Sequence, residues 1–122
     1  MAAAKLSESQ IQYAIRLALG GHPRLVLWRN NTGVAQHRNA SGKQAVRYGL
    51  CVGSSDLIGI VTMPDGTGRF VALECKAARG APTAEQVLFL ELVRKRGGFA
   101  AIVRSPQEAL DAVARALTGA SE

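Results

Sequence analysis

Two apolar, β-branched segments separated by a short turn constrain the fold of this chain more than any other feature of its sequence. The first segment runs from Asp56 to Thr62 and the second from Arg69 to Lys76. Residues 64–68 between them, Pro-Asp-Gly-Thr-Gly, are typical of a hairpin turn. We therefore predict two antiparallel strands that pair directly, and the rest of the fold has to be built around them.

The polar residues of this hairpin lie where its strands begin and end. Asp56 opens the first strand, and Glu74 and Lys76 stand near the end of the second. Because side chains alternate along a strand, Glu74 and Lys76 share one face, and Asp56 can face Glu74 across the ladder. A buried carboxylate and amine are costly unless they pair or bind a metal. Two carboxylates at one place are hard oxygen ligands of the kind that Mg²⁺ or Mn²⁺ prefers.

The sequence on either side of the hairpin predicts three helices and two further strands. Capping boxes begin at Ser7 and Thr83, and Ser105 followed by a proline begins a third helix. Apolar runs at 24–29 and 99–103 predict strands, and Trp28 in the first run is expected in the core. Residues 33–55 are expected to form a long functional loop, with or without one short strand.

The resulting order of elements is α, β, loop, β, β, α, β, α, which predicts an α/β fold with one mixed central β-sheet flanked by α-helices. The second helix is expected to extend to about Arg96. Its inward positions are Leu90 and Val93, together with either Val87 or Phe89.

Positive charge is concentrated in one part of the chain, whose net charge is +6. No acidic residue occurs between Glu8 and Asp56, whereas the remainder of the chain holds nine residues of each sign. A region without carboxylates indicates a polyanionic partner such as nucleic acid, and ordinary solubilising charge is the alternative. The basic residues of this region are Arg16, Arg24, Arg29, Arg38, Lys43 and Arg47.

Length and composition exclude several classes of protein. The 122 residues correspond to a single domain. No apolar run approaches the roughly 18 residues of a membrane span, so we expect a cytoplasmic protein without a membrane partner. Cys51 and Cys75 lie in apolar surroundings and are predicted to be reduced core thiols. No Walker-type glycine loop is present, so we expect no nucleotide cofactor.

The hairpin residues match a known nuclease signature. Asp56 followed by Glu74-Cys-Lys76 fits the Asp…(Asp/Glu)-X-Lys pattern of the restriction-endonuclease-like nucleases. With Glu8 and Gln10 in the first helix, Arg29-Asn-Asn-Thr-Gly33, Tyr48-Gly-Leu-Cys-Val-Gly-Ser-Ser-Asp56 and Gln86, the chain resembles more closely the virus-type replication-repair nuclease domain, VRR-NUC. The resemblance spans about residues 8–110. Ser55 departs from the wider class, in which many members have proline before the aspartate.

This resemblance implies a restriction-endonuclease-like fold and metal-dependent hydrolysis of DNA. Asp56 and Glu74, with the Cys75 backbone carbonyl, would hold Mg²⁺ or Mn²⁺ against the scissile phosphate. Lys76 would orient or activate the attacking water, and Gln86 would position Lys76 or that water. Glu8 would bind the metal through water or hold a second ion.

Each of these roles has a structural alternative that the residues alone leave open. Asp56 could be only a turn residue ahead of a strand, and Glu74 and Lys76 could form only an ion pair. Gln86 could be only a capping residue, and Glu8 is a favourable charge in a first helical turn. The rival to a nuclease is accordingly a nucleic-acid-binding module that keeps this fold without cutting.

Standalone members of the family resemble phage or bacterial junction-resolving enzymes. We therefore expect branched DNA, such as a four-way (Holliday) junction, as substrate, a homodimer as the acting form, and a bacterial cell as the setting. A nuclease without branch preference is the alternative. The predicted DNA-binding residues are Arg29, Asn30, Asn31, Thr32, Arg38, Lys43, Arg47, Ser54 and Ser55.

Overall fold

A computed structural model describes residues 5–122 of the chain as three helices and six strands. In chain order they are α1 (Glu8–Leu19), β1 (Leu25–Arg29), β2 (Gly33–Asn39), β3 (Gly42–Tyr48), β4 (Leu57–Thr62), β5 (Gly68–Cys75), α2 (Ala84–Lys95), β6 (Phe99–Val103) and α3 (Pro106–Leu117).

Four of the strands form a central sheet in the order β1-β4-β5-β6. β1, β4 and β5 are antiparallel neighbours, and β6 is parallel to β5. The predicted hairpin is confirmed, because β4 pairs with β5 from Leu57 opposite Leu73 to Thr62 opposite Gly68. The predicted α/β class, with a mixed sheet flanked by helices, is confirmed as well.

Helices cover the two faces of this sheet unequally. α1 and α3 pack on one face, where the fully buried side chains of Ile15, Leu57, Phe99 and Val113 belong to one continuous core. α2 packs on the other face, against β5 and β6. Its inward residues are Leu90 and Val93, as predicted, with Phe89 partly buried beside them and Val87 exposed.

The helix boundaries follow local capping signals. Ser7 Oγ accepts a hydrogen bond from the Gln10 amide at 3.1 Å, and Gln10 Oε1 accepts one from the Ser7 amide at 2.8 Å. Thr83 and Gln86 form the same reciprocal pair at the start of α2. Both capping boxes are therefore confirmed, and α2 ends at Lys95, one residue before the predicted end.

The prediction of a loop over residues 33–55 is wrong, because β2 and β3 form a separate two-stranded antiparallel sheet. The Asn39 side chain accepts a hydrogen bond from the Ser41 amide at 2.9 Å, and Gly42 adopts φ +118°, which together close the turn. All residues of both strands except Gly33 are exposed. Neither face of this two-stranded sheet is buried. The alternation of apolar and polar residues that indicates a half-buried strand is therefore missing from this segment.

Two predictions of burial are also wrong. Trp28 is 50% exposed, because the face of β1 that carries it is covered by no helix among the described residues. Cys51 is exposed, whereas Cys75 is buried as predicted. Both cysteines are free. No helix in the described part of the chain is long and apolar enough to cross a membrane.

Candidate metal centre

Asp56 is the last residue of the loop that leads into β4. The β4–β5 register places Leu57 opposite Leu73, so Asp56 stands across from Glu74 as predicted. Its Oδ2 accepts a hydrogen bond from the Cys75 backbone amide at 3.0 Å. This bond fixes the carboxylate at the end of β5, where the remaining oxygen lone pairs are available to a ligand.

Glu74 is the most deeply buried acid of the cluster, with 1% of its surface exposed. Its Oε1 accepts a hydrogen bond from Gln86 Nε2 at 3.0 Å and lies 3.6 Å from Lys76 Nζ. Its Oε2 has no hydrogen-bond partner among the described residues. A buried carboxylate oxygen without a donor is costly, and an ion or a water at this point would remove that cost.

Glu8 brings a third carboxylate to the same place from the first turn of α1. One oxygen each of Glu8, Asp56 and Glu74 lies within 4.8 Å of the other two. Glu8 Oε1 is also 4.0 Å from Lys76 Nζ. Three carboxylates and no nitrogen or sulfur ligand form a donor set that fits a hard divalent cation. This acidic triad could therefore hold a metal ion.

Burial and charge act together on Glu74. Loss of solvent around its carboxyl group is the main cause that raises its pKa from the ordinary 4.5 to about 8, and the neighbouring charge of Asp56 adds to it. The Lys76 ammonium opposes the shift but does not cancel it. A bound cation would replace the proton that the Glu74 carboxyl group favours at neutral pH.

Lys76 and Cys75 have different environments although they are adjacent. Lys76 is only 7% exposed, and its ammonium lies between Glu8 and Glu74. Cys75 points into the core on the α1 and α3 side, and burial raises the pKa of its thiol. The thiol is thus unsuited to be a thiolate ligand. The ligand role predicted for the Cys75 backbone carbonyl stays a prediction.

Gln86 combines the two roles that the sequence left open. Its Oε1 accepts from the Thr83 amide at 2.9 Å, as in a capping box, while its Nε2 donates to Glu74 Oε1. The partner that the structure shows is the Glu74 carboxylate, and the predicted positioning of Lys76 or of a water by Gln86 stays a prediction. The side chain therefore orients a ligand of the triad.

Three of the predicted DNA-binding residues are buried: Ser54 and Ser55 in the loop before Asp56, and Asn30, which follows β1 and bonds to that loop. Asn30 Nδ2 donates to Ser54 Oγ at 2.7 Å and to the Ser55 carbonyl at 2.9 Å. Asn30 Oδ1 accepts from the Leu50 amide at 3.2 Å. Ser55 is fully buried, and its Oγ has no partner among residues 5–122. In this conformation Asn30, Ser54 and Ser55 position the loop and offer almost no surface to DNA.

Gly53 holds the same loop against α2. It adopts φ +83°, and a Cβ at this position would lie 2.6 Å from the Glu85 backbone carbonyl carbon. Only glycine permits both that conformation and that approach. The loop is therefore held from β1 by Asn30 and from α2 by Gly53, which determines where Asp56 begins β4.

The other predicted DNA-binding residues are exposed. Arg29, Asn31 and Thr32 lie at the end of β1 and just beyond it. The β2–β3 register pairs Arg38 with Lys43 and Val34 with Arg47. Since directly opposed residues share a face and alternate residues along a strand also share one, Arg38, Lys43 and Arg47 all project from the same face of this ribbon.

Sequence reasoning missed Arg104, which holds the segment after Lys76. Its Nη1 donates to the carbonyls of Ala77 at 2.6 Å and Gly80 at 2.7 Å. Arg104 follows β6, which is parallel to β5, so the two strand ends lie side by side. No local motif marks this arginine, because its partners are backbone carbonyls more than twenty positions away.

Comparisons with protein-family models, with curated proteins and with solved structures found no match to this chain.

Proposed function

We propose that this protein is a divalent-metal-dependent DNA endonuclease with a restriction-endonuclease-like fold, related to the VRR-NUC domain. The observation that carries the proposal is the convergence of Glu8, Asp56 and Glu74 within 4.8 Å, with the buried Lys76 ammonium beside them. A cluster of carboxylates next to a desolvated amine provides the functional groups that metal-assisted phosphodiester hydrolysis uses.

The residues of the triad would hold Mg²⁺ or Mn²⁺. Glu74 Oε2, which has no hydrogen-bond partner in the described part of the chain, supports that fit. When bound, such an ion would polarise the scissile phosphate and lower the pKa of a bound water. Asp56 is held ready for this role by the Cys75 amide, and Glu74 by Gln86. Ligand oxygens fixed in advance by hydrogen bonds lose little freedom when a cation and a phosphate arrive.

Lys76 would supply the positively charged side chain of the site. Its ammonium is buried between Glu8 and Glu74, so it is held within reach of the same space as the carboxylates. It can donate a hydrogen bond to the attacking water or to a phosphate oxygen, and it offsets charge that develops on the phosphate. Lys76→Met would keep an unbranched side chain that is one atom shorter and would remove both functions.

Branched DNA is the substrate class that we propose for this site. The basic face of the β2–β3 ribbon, formed by Arg38, Lys43 and Arg47, supports binding to phosphate backbone without base readout. The homodimer expected from the resemblance stays a prediction.

The test is cleavage of end-labelled four-way junction, flap, linear duplex and single-stranded DNA, with Mg²⁺, with Mn²⁺ or with chelator. We expect metal-dependent cuts near the branch point, lost in Asp56→Asn and retained in Asp65→Asn. Asp65 is a matched control, because it is an exposed aspartate in the β4–β5 turn. Equal cleavage of the junction and of linear duplex would remove the branch preference and leave the nuclease.

The rival function is a nucleic-acid-binding module that does not cut, and the ion pair between Lys76 and Glu74 favours it, since such a pair can be purely structural. Binding of the junction with no cleavage of any of the four substrates, unchanged by chelator, would establish the rival. Cleavage that persists in Lys76→Met would equally contradict the catalytic role of that amine.

A further inference from the structure

A groove separates α1 from the edge strand β1, on the sheet face that α1 and α3 cover. It has a volume of about 450 Å³. Its floor consists of Leu25, Leu27 and Leu57, which belong to or pack on the core. Tyr13 and Leu17 on α1 form its outer wall, and Leu17 is 66% exposed. This groove is separate from the acidic triad, since none of the triad residues lines it.

The backbone of β1 is open along the same groove. β1 is an outer strand of the sheet, and within residues 5–122 its only strand partner is β4. At its two ends, the Thr62 amide donates to the Arg24 carbonyl and the Asn30 amide donates to the Asp56 carbonyl. Because an antiparallel strand turns alternate residues to opposite neighbours, the even positions face β4. The amides and carbonyls of Leu27 and Arg29 therefore face outward, where an added strand would meet them.

Apolar side chains line both sides of this open edge. On the groove side an added strand would meet Leu27 and Leu17, and on the opposite face it would meet Val26 and Trp28, both of which are about half exposed. A strand that joins here would thus have apolar neighbours for both of its alternating rows of side chains. An exposed edge strand of this kind is a template for pairing with another chain.

Charge selects among the possible occupants. The rim carries the exposed Arg16 and Arg29, and neither forms an ion pair with any residue in the described range 5–122. No acidic residue occurs between Glu8 and Asp56, so nothing along β1 or along α1 beyond its first residue neutralises them. Pairing of β1 with β1 of a second copy would bring these cations together without a counter-charge. An acidic segment would supply it.

We propose that this groove is a docking site for an extended, acidic segment of a partner protein, which adds to the sheet as a fifth strand beside β1. Apolar residues of the segment alternate between Leu17 on one side and Trp28 on the other, and carboxylates at its ends meet Arg16 and Arg29. The site would join the protein to another component without covering the acidic triad.

The probe is a fluorescein-labelled peptide of the length of β1, with valine and leucine at its centre and glutamate at both ends, followed by fluorescence anisotropy. We expect saturable binding that weakens about tenfold in Leu17→Asp and does not change in Leu88→Asp. Leu88 is a matched control, because it is 65% exposed and lies on α2. Both side chains are on the surface, and circular dichroism verifies that both variants fold.

Two modified peptides test strand addition itself. Methylation of the backbone nitrogens that face β1 should abolish binding, whereas methylation of the alternate nitrogens should leave it intact, because only the first set donates to the β1 carbonyls. A peptide with lysine at its ends should bind at least about tenfold more weakly. Equal binding of the two methylated peptides would overturn the proposal.

Two further outcomes would show that the groove binds something other than an acidic segment of a partner protein. Concentration-dependent dimers in sedimentation that Leu17→Asp abolishes would identify a second copy of the chain. Displacement of the probe by duplex DNA in a way that depends on Arg16 and Arg29 but not on Leu17 would assign the rim to DNA. Either result overturns the docking of an acidic segment.

Discussion

At the scale of single residues, the site depends on hydrogen bonds that leave ligand oxygens fixed but incompletely satisfied. Asp56 is held by a backbone amide and Glu74 by Gln86, while Glu74 Oε2 has no partner among the described residues. The structure thus holds the Glu74 carboxyl group in a place where it is costly to ionise. Such a cost is typical of sites that await a cation.

The raised pKa of Glu74 predicts how the metal-free protein responds to pH. Folding raises this pKa from 4.5 to about 8, so the folded state binds the proton more tightly than the unfolded state. This contribution to stability is complete below pH 4.5 and is lost as pH rises through 8. In chelator, the melting temperature of Glu74→Gln should fall less than that of the wild type across this window. Parallel melting curves for the two proteins would contradict the assignment.

The two hydrogen bonds of Gln86 should affect two different quantities, the unfolding free energy and the Mg²⁺ requirement for cleavage. Gln86→Ala removes a cap and also the donor to Glu74, whereas Gln10→Ala removes the equivalent cap of α1. Both variants should lose about 1 kcal/mol of unfolding free energy. Only Gln86→Ala should raise the Mg²⁺ concentration for half-maximal cleavage, by about tenfold or more. The same metal requirement in both variants would reduce Gln86 to a capping residue.

At the scale of elements, the β2–β3 ribbon is distinct from the rest of the fold. It forms its own sheet, and nearly all of its residues are exposed. An isolated two-stranded ribbon is marginally stable in water, and ordering on a partner would offset that weakness. Its basic residues share one face, whereas the opposite face carries His37, Gln44 and Val46.

This arrangement predicts a face-dependent effect on DNA binding. Replacement of Arg38, Lys43 and Arg47 together by glutamine removes three cations, so the slope of log K against log salt should decrease in magnitude by about two to three. Junction affinity should fall at low salt, with the acidic triad untouched. His37→Gln combined with Gln44→Ala alters the other face and should bind like the wild type. Equal losses from both faces would contradict the model of a single DNA-binding face.

At the scale of the whole molecule, the features predicted from sequence were those with local causes. The capping boxes at Ser7 and Thr83 and the turn between β4 and β5 involve residues a few positions apart. The facing of Asp56 and Glu74 followed from that turn, because an antiparallel hairpin fixes its own register. The relative position of two of the three acids of the triad could therefore be predicted before any tertiary structure was known.

Features that depend on distant contacts were missed. Trp28 is exposed because α2 covers β5 and β6 and not β1, which no pattern within the strand reveals. Asn30 is buried because it bonds to a loop more than twenty positions later. The approach of Glu8 to Glu74 requires α1 to pack across the sheet, so the sequence could identify the residue but could not place it.

The central claim is that Glu8, Asp56 and Glu74 hold a divalent cation, and Mn²⁺ binding tests it most directly. Electron paramagnetic resonance follows the loss of the free Mn²⁺ signal on titration with wild type, Asp56→Asn or Asp65→Asn. Wild type and Asp65→Asn should bind equally, and Asp56→Asn should bind at least about tenfold more weakly, because a ligand oxygen is replaced by a neutral amide. Binding that is equally tight in Asp56→Asn, or absent in the wild type, would contradict the account.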